Sequence, residues 1–408
     1  MVEEVPTTPI RPTPVSPTEG GVPTGILIIL ALVTMVGPLS INAYLSGLPH
    51  LAEEFSISTA LAQLTVTAFL IGNAVGQLVM GPVSDGLGRH RLLLTGLGFL
   101  LVASTAVALS PNIWVVYVAR LIQGFAAGTA IALARAVAAD MATGTALAKA
   151  FSLLMLIGGI APVVGPVIGG FLVAAWGWRS VFWMIAIFAA VDVVLVLTVL
   201  KETLPAERRS GVGLKPMFHG FAVVLRDRTY RRHTAGYIFS FCAMFAYVAA
   251  SPFVLQTHFG FTPIQYALTF AGLTAVMTLV SFGNSKIVGK YGALRLARIG
   301  NAVTIAGSVA VLIAALLNGP AWVVIAFLAV VVGVNGANMG NNSALAIEPV
   351  RTTAGAASAL MGAGQFIAAG AVSPLVGIFS GFGVSQPVAM GVLMVAASLI
   401  AATGIQHR

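Results

Sequence analysis

The chain has 408 residues, of which 58% are apolar and only 8% charged. An ordinary soluble domain carries roughly a quarter charged residues, and one of this size could not cover its surface with so few, which excludes a water-soluble enzyme. The formal net charge of +9 is not gathered into a basic and aromatic patch, so no nucleic-acid surface is expected.

Residues 1–24 hold Pro6, Pro9, Pro12, Pro14, Pro17 and Pro23 among Thr and Ser. They read as a disordered, Pro-rich tail. The tail has no basic start leading into a short apolar run and cleavage site, so no removable signal peptide is expected. From residue 25 about twelve apolar runs follow, each near the roughly 20 residues that cross a bilayer as a helix. The predicted spans are 25–49, 60–82, 92–110, 113–136, 150–174, 180–200, 234–256, 264–283, 298–317, 320–345, 355–379 and 387–404. Membrane β-strands would alternate apolar and polar over about ten residues, and these runs do not.

The basic residues orient the chain. With a cytoplasmic amino terminus, Arg11, Arg89, Arg91, Arg135, Lys149, Lys286, Lys290, Arg295, Arg298, Arg351 and Arg408 all face the cytoplasm, together with residues 201–232. Only Arg179 faces outward, and Arg120 lies within a span. The positive-inside rule therefore predicts both termini in the cytoplasm of a plasma (inner) membrane protein.

Residues 201–232 carry Lys201, Arg208, Arg209, Lys215, Arg226, Arg228, Arg231 and Arg232 against three acids, and they divide the spans six and six. The halves echo one another: Asp140 closes span 4 and Glu348 closes span 10. The expected fold is an all-α membrane protein with twelve transmembrane helices in two pseudo-symmetric six-helix halves, residues 25–200 and 233–408, joined by a basic linker. Two like halves are a transporter organisation, with the site expected at mid-membrane between them.

Four groups of residues carry chemistry. Between spans 2 and 3 stands Gly81-Pro-Val-Ser-Asp85-Gly-Leu-Gly88-Arg89-His-Arg91. Its glycines allow a tight turn and close approach, and its arginines can pair with a carboxylate such as Asp140. Span 5 holds Gly158, Gly159, Pro162, Gly165, Pro166, Gly169 and Gly170. Small residues four apart let helices approach closely in lipid, and the prolines bend the helix. In span 4, Arg120 precedes Gln123 and Gly124. An Arg inside a membrane helix costs roughly 3 kcal/mol, so it needs a polar lining or partner, or else it snorkels to the interface. Span 10 holds Asn335, Asn338, Asn341 and Asn342. With Tyr237, Phe241, Phe245 and Tyr247 of span 7, Asn338 could line a cavity for aromatic, hydrogen-bonding compounds, or the amides could pack helix on helix.

These strings resemble motifs of the major facilitator superfamily. The loop between spans 2 and 3 resembles that superfamily's signature, in which Gly81, Asp85, Gly88, Arg89 and Arg91, with Asp140 and Glu348, would gate the conformational change by locking the outward-open state. The Gly-Pro-x2-Gly-Gly string of span 5 is similar to the antiporter motif of its drug:proton exporters. Arg120-x2-Gln-Gly resembles its span 4 motif, in which the Arg lines the cavity and helps move protons. Pro38 to Pro49, Gln63 to Phe69, Arg135 to Asp140, Ser251 to Gln256 and Ala346 to Leu360 resemble the bicyclomycin/chloramphenicol-resistance branch. The resemblance covers the chain from about residue 25 onward.

The resemblance implies efflux of small, amphipathic, drug-like compounds by alternating access in exchange for protons. An uncoupled facilitator, or an exporter of one specific metabolite, is the alternative. It also implies that spans 1, 4, 7 and 10 line the path while 3, 6, 9 and 12 support it. The expected substrate-binding residues are Asn42, Arg120, Gln123, Tyr237, Phe241, Phe245 and Asn338. Family members usually carry Asp where this chain has Asn42, which cannot titrate, so Asp192 in span 6 becomes the candidate proton site, with a structural pairing or a tolerated protonated acid as the alternative. The six histidines show no metal-ligand spacing and no nucleotide-binding loop occurs. The partners expected are therefore a small-molecule substrate, protons and membrane lipid around a monomer, with no metal, cofactor or nucleic acid.

Overall fold

A computed structural model describes residues 21–209 and 214–405. Residues 1–20, 210–213 and 406–408, which include most of the expected tail, part of the linker and Arg408, lie outside the described residues. The described chain is helical, without strands. Span 1 is α1 (Thr24–Asn42), a 3-10 turn and α2 (Leu48–Glu54); spans 2 to 6 are α3 (Thr59–Leu87), α4 (Arg89–Ala108), α5 (Ile113–Met141), α6 (Gly144–Trp176) and α7 (Arg179–Val199). After the linker helix α8 (Leu214–Arg226), spans 7 to 12 are α9 (Arg228–Pro252), α10 (Pro263–Tyr291), α11 (Ala293–Leu316), α12 (Ala321–Ile347), α13 (Ala354–Gly381) and α14 (Gln386–Ile405). The α12–α13 junction is so tight that the two form one apolar stretch, broken by a 3-10 turn over Glu348–Thr353 in which Val350 leaves helical geometry.

All twelve spans form, but several outrun the apolar windows. α10 continues to Tyr291 rather than 283, and α9 begins at Arg228 rather than 234. The apolar window marks where lipid ends, whereas helical hydrogen bonding persists into the interface, where Lys286, Lys290 and Arg231 can reach water. α8 was not anticipated from the linker's polarity. Elsewhere proline sets the breaks: α1 contains Pro38 and ends at Asn42, and α9 ends at Pro252 before a π-helical turn over Phe253–His258.

The end of the bundle bearing Arg89, Asp140 and α8 is here called the linker end, and the other the far end. Trp114, Trp176 and Trp322 are among the most exposed side chains of the molecule, and all lie at helix termini of the far end. Such a belt suits a membrane–water boundary.

The tightest packing is between α3 and α5. A Cβ at Gly72 would strike the Leu121 carbonyl and one at Gly76 that of Phe125; from the other side, Gly124 abuts the Phe69 carbonyl and Gly128 that of Asn73. Two Gly-x3-Gly pairs thus lie face to face. In lipid, where apolar burial adds no attraction between helices, such backbone contact supplies the dispersion that holds them together.

The first and second halves meet chiefly through α3 on α13 and α6 on α10. Among the described residues, every hydrogen bond between them lies in the far half of the bundle. Gln63 Nε2 donates to Ala249 O at 3.0 Å while its Oε1 accepts from Gly377 N at 3.1 Å. Gln256 donates to Ser46 O, Thr67 to Gly370 O, and Gln386 to Thr59 Oγ1. No ion pair among the described residues joins the halves at the linker end. The bundle is therefore latched at the far end and unlatched at the linker end.

Candidate functional site

Between the halves lies a cavity of about 210 Å³ lined by Pro38, Ile41 and Asn42 of α1, Asn73 of α3, Ile131 of α5 and Pro162 of α6. The second half contributes Phe241, Phe245 and Tyr247 of α9, Phe270 and Thr274 of α10, Val332 of α12 and Phe366 of α13. No lining residue comes from α4, α7, α11 or α14, the supporting spans. The rings of Phe241 and Phe245 stack at 5.7 Å and Phe366 meets Phe241 edge-on at 5.8 Å. Tyr247 stacks on Phe270 at 5.7 Å. The lining is apolar and aromatic with a few amides and hydroxyls and no charged side chain, which suits an amphipathic organic molecule. A larger groove, about 620 Å³, lies on the outer face of α6 and α7 among exposed Trp176, Trp183, Ile187 and Val191. Its apolar, outward-facing walls make it a lipid-facing surface rather than a site between the halves.

Of the seven expected binding residues, the cavity brings together Asn42, Phe241 and Phe245. Asn42 Nδ2 bonds back to Pro38 O at 2.8 Å. Arg120 and Gln123 do not line it. Arg120 is wholly buried inside the first half, where it donates to Thr65 O at 3.3 Å, Ser40 O at 3.0 Å and Gln123 Oε1 at 2.7 Å. Gln123 in turn donates to Ser104 at 2.8 Å. Tyr44, Phe69 and Phe182 present their rings to the guanidinium at 4.8, 4.5 and 5.6 Å. Carbonyls and ring faces replace a carboxylate here, so Arg120 pins α1, α3, α4, α5 and α7 together and does not snorkel. Asn338 faces α11, bonding Thr304 at 3.1 Å. Asn335 bonds Ser240 O, and Asn341 exchanges two amide bonds with Asn284. In these three amides the helix-packing alternative prevails. Tyr237 packs in a linker-end cluster with Tyr230, Ala346 and Met361.

The glycines and prolines of α6 divide into two sets. Gly165 sits against Asn42, Gly169 against the Ala43 carbonyl, and Gly170 against Ala267 and the Pro263 carbonyl of α10. Pro162 lines the cavity and, with Pro166, interrupts the helix hydrogen bonding. Nothing lies within 4 Å of a Cβ at Gly158 or Gly159, toward the unlatched end.

At the linker end, Arg89 is the hub. It pairs with Asp85 at 2.6 Å and Asp140 at 3.0 Å and bonds Ser84. Thr203 also donates to Asp140, at 3.1 Å. Glu202 accepts from the Arg89 and His90 amides at 2.9 and 3.3 Å and faces Arg209 at 3.6 Å. Burial pushes the Glu202 carboxyl up, but the amides of Leu204, Arg89 and His90 and the Arg209 charge outweigh it and hold it below its ordinary range. Acidification must therefore pass below that ordinary range before this anchor is lost. Gly88 has φ +97° and a Cβ there would meet Glu202. Gly81, by contrast, lies within α3 in open space, so only Gly88 makes the turn. Arg91 is exposed and forms no ion pair among the described residues, and Glu348 faces only Arg351, at 3.8 Å. Asp192 is wholly buried in α7, which packs on α4 and α1, and neither carboxylate oxygen has a hydrogen-bond partner among the described residues.

Asp85→Asn and Arg89→Ala should slow turnover more than they weaken binding, because the cluster lies outside the cavity and biases a conformational equilibrium. Binding to detergent-purified protein should stay within roughly tenfold of the unmodified chain. Loss of binding by folded protein would instead assign these residues to the site.

Comparison with known proteins agrees with this architecture. The family profile described as Major Facilitator Superfamily matches residues 30–374. The chain is 34% identical over 380 residues to the uncharacterized MFS-type transporter YdgK of Bacillus subtilis, covering 91% of this chain and 92% of that one. It is 29% identical over 348 residues to the bicyclomycin resistance protein homolog of Haemophilus influenzae, covering 85% and 87%. Its fold resembles the inward-facing, unoccupied bacterial homolog of the human lysosomal transporter Spinster, with a TM-score of 0.75, 16% identity, and coverage of 94% and 96%.

Proposed function

The chain belongs to the major facilitator superfamily, and from that premise we propose that it exports small amphipathic compounds by alternating access, in exchange for protons. The observation that carries this reading is the aromatic, uncharged cavity lined by helices of both halves, beneath a far-end latch and above an unlatched linker end. The relative named for bicyclomycin resistance supports efflux of a toxic compound. In this reading the linker end is cytoplasmic, since the basic residues collect there, and cargo enters from that side. Labelling intact cells from outside should modify a cysteine at Asn318 and spare one at Glu207, in a Cys242→Ser background. Labelling at Glu207 alone would reverse the orientation.

Exchange follows from swapping latches. Opening the far end requires breaking the Gln63, Gln256 and Gln386 bonds, while closing the linker end brings the Arg89 cluster against the second half. Asp192, the one acid wholly buried among the described residues, is the proposed proton site. An unpartnered carboxyl sealed among apolar side chains takes or releases a proton only when the helices around it part. Asp192→Asn should then abolish pH-driven transport and leave cargo binding intact; pH-driven transport at the unmodified rate would remove Asp192 from the mechanism.

The cargo proposed is neutral, zwitterionic or anionic rather than cationic. A permanent cation entering this cavity would lose hydration with no fixed counter-charge in the lining. Asn42→Asp should add weak binding of lipophilic cations that strengthens as pH rises through the new carboxyl's pKa, since only its ionised form attracts them. Susceptibility assays in an exporter-deficient host test the point. Protection by the unmodified protein against ethidium, but against no neutral antibiotic, would contradict it.

A further inference from the structure

We infer that Arg135 is the charge-selecting residue of the entry path, and that the cargo leads with an anionic or acceptor-rich oxygen group such as a carboxylate or nitro. The inference deepens the exporter reading and rests on it for the direction of travel, though not for the recognition itself.

Ile131 lines the cavity, and Arg135, four residues on along the unbroken helix α5, shares its face one turn nearer the linker end. A turn is roughly 5.4 Å of rise. Phe241 of α9 lines the cavity too, and Tyr237 occupies the corresponding position one turn below it. Arg135 and Tyr237 lie within electrostatic reach of each other across the cleft between the halves.

Two glycines near that level face open space. Gly158 lies one turn below the cavity-lining Pro162, and Gly362 one turn below Phe366. Nothing stands within 4 Å of a Cβ at either position. Arg135 itself is exposed, unlike the sealed Arg120, and makes no ion pair among the described residues. In this inference its guanidinium flanks the approach that a molecule crosses to reach the rings of Phe241 and Phe245.

Along the helices that line the cavity, no other exposed charge lies so near. α12 and α13 contain none within their spans, and Asp85 and Asp140 are held by Arg89. The next candidates are His233, eight residues from Phe241, and Lys286, nine residues from Met277, which also lines the cavity, and neither is acidic. A planar guanidinium with free donors binds carboxylate and nitro oxygens in paired hydrogen bonds and repels a quaternary or aromatic cation. The Tyr237 hydroxyl can add a further donor.

Purified full-length protein in detergent tests this by fluorescence polarisation with two flat aromatic dyes of opposite charge, fluorescein and rhodamine 6G. The unmodified protein should bind fluorescein and not rhodamine 6G. Arg135→Gln should weaken fluorescein binding tenfold or more. Arg135→Glu should abolish it and admit rhodamine 6G, whereas Arg135→Lys should keep the order of preference. Lys149→Gln, thirteen residues from Pro162 on α6, controls for adsorption to the basic surface, and each variant's elution on size exclusion controls for folding. Unchanged fluorescein binding by Arg135→Gln, equal loss in Lys149→Gln, or no binding to the unmodified protein would overturn the assignment. Charge-selective binding without transport of fluorescein in proteoliposomes would count against the exporter reading and leave Arg135 as the selector.

Discussion

Gly124→Leu is expected to abolish the folded protein. Gly124 lies against the carbonyl of Phe69, and three further glycines, Gly72, Gly76 and Gly128, complete the contact from both helices. Ordinary overpacking costs about 1–3 kcal/mol because side chains can shift. Here the obstacle is backbone on both sides, so α3 and α5 must separate. That would also dislodge Arg120 from Thr65 O and leave a buried cation with fewer partners. The combined loss should exceed about 4 kcal/mol, the range in which single substitutions unfold a chain outright. Size-exclusion of detergent extracts reads the result: no monodisperse peak for Gly124→Leu, and a normal one for Gly98→Leu, where nothing lies within 4 Å. A folded, stable Gly124→Leu protein would show that α3 and α5 are not in backbone contact.

The second large effect concerns the far-end latch. Thr59 Oγ1 and Gln386 Nε2 stand 3.3 Å apart across the two halves. Cysteines at these positions, in a Cys242→Ser background, should be joined readily by a short bis-methanethiosulfonate, which forms a disulfide with each thiol and releases methanesulfinate. The bridge forbids the far end from opening, and transport should fall to background. Cargo should still bind from the linker end, because the cavity and its approach are untouched. A reducing agent that cleaves the bridge should restore transport. Full transport by the cross-linked protein would mean that this end does not open during the cycle.

The fold was legible because length and apolarity alone determine what can cross a bilayer, and all twelve spans follow from that constraint. Their ends were not, since Lys286 and Arg231 extend helices beyond the lipid boundary. The site was legible by half. Asn42, Phe241 and Phe245 face the cavity as their residue types suggested. Arg120 and Asn338 carry the same chemistry but point elsewhere, because helical periodicity gives a residue's face without saying which neighbour that face meets. Gly72, Gly76 and Gly128 of the α3–α5 seam also escaped notice beside the denser string of α6, and Gly124 was read only as part of a motif, although their i, i+4 spacing is the signal that finds such seams. Arg135 was counted only for its charge and as part of a motif string. Its spacing of four from Ile131 becomes informative once Ile131 is known to line a cavity.

The most direct test of the central claim is accumulation of chloramphenicol in everted membrane vesicles whose lumen is made acidic. Such vesicles present the cytoplasmic surface to the medium, so an exporter exchanging cargo for protons should concentrate the compound inside. Accumulation should rise above the medium concentration with the imposed gradient and collapse when a protonophore removes it. Vesicles lacking the protein should show none. If the compound merely equilibrates, at the same rate with or without the gradient, the protein is an uncoupled facilitator and the proton-driven account is contradicted.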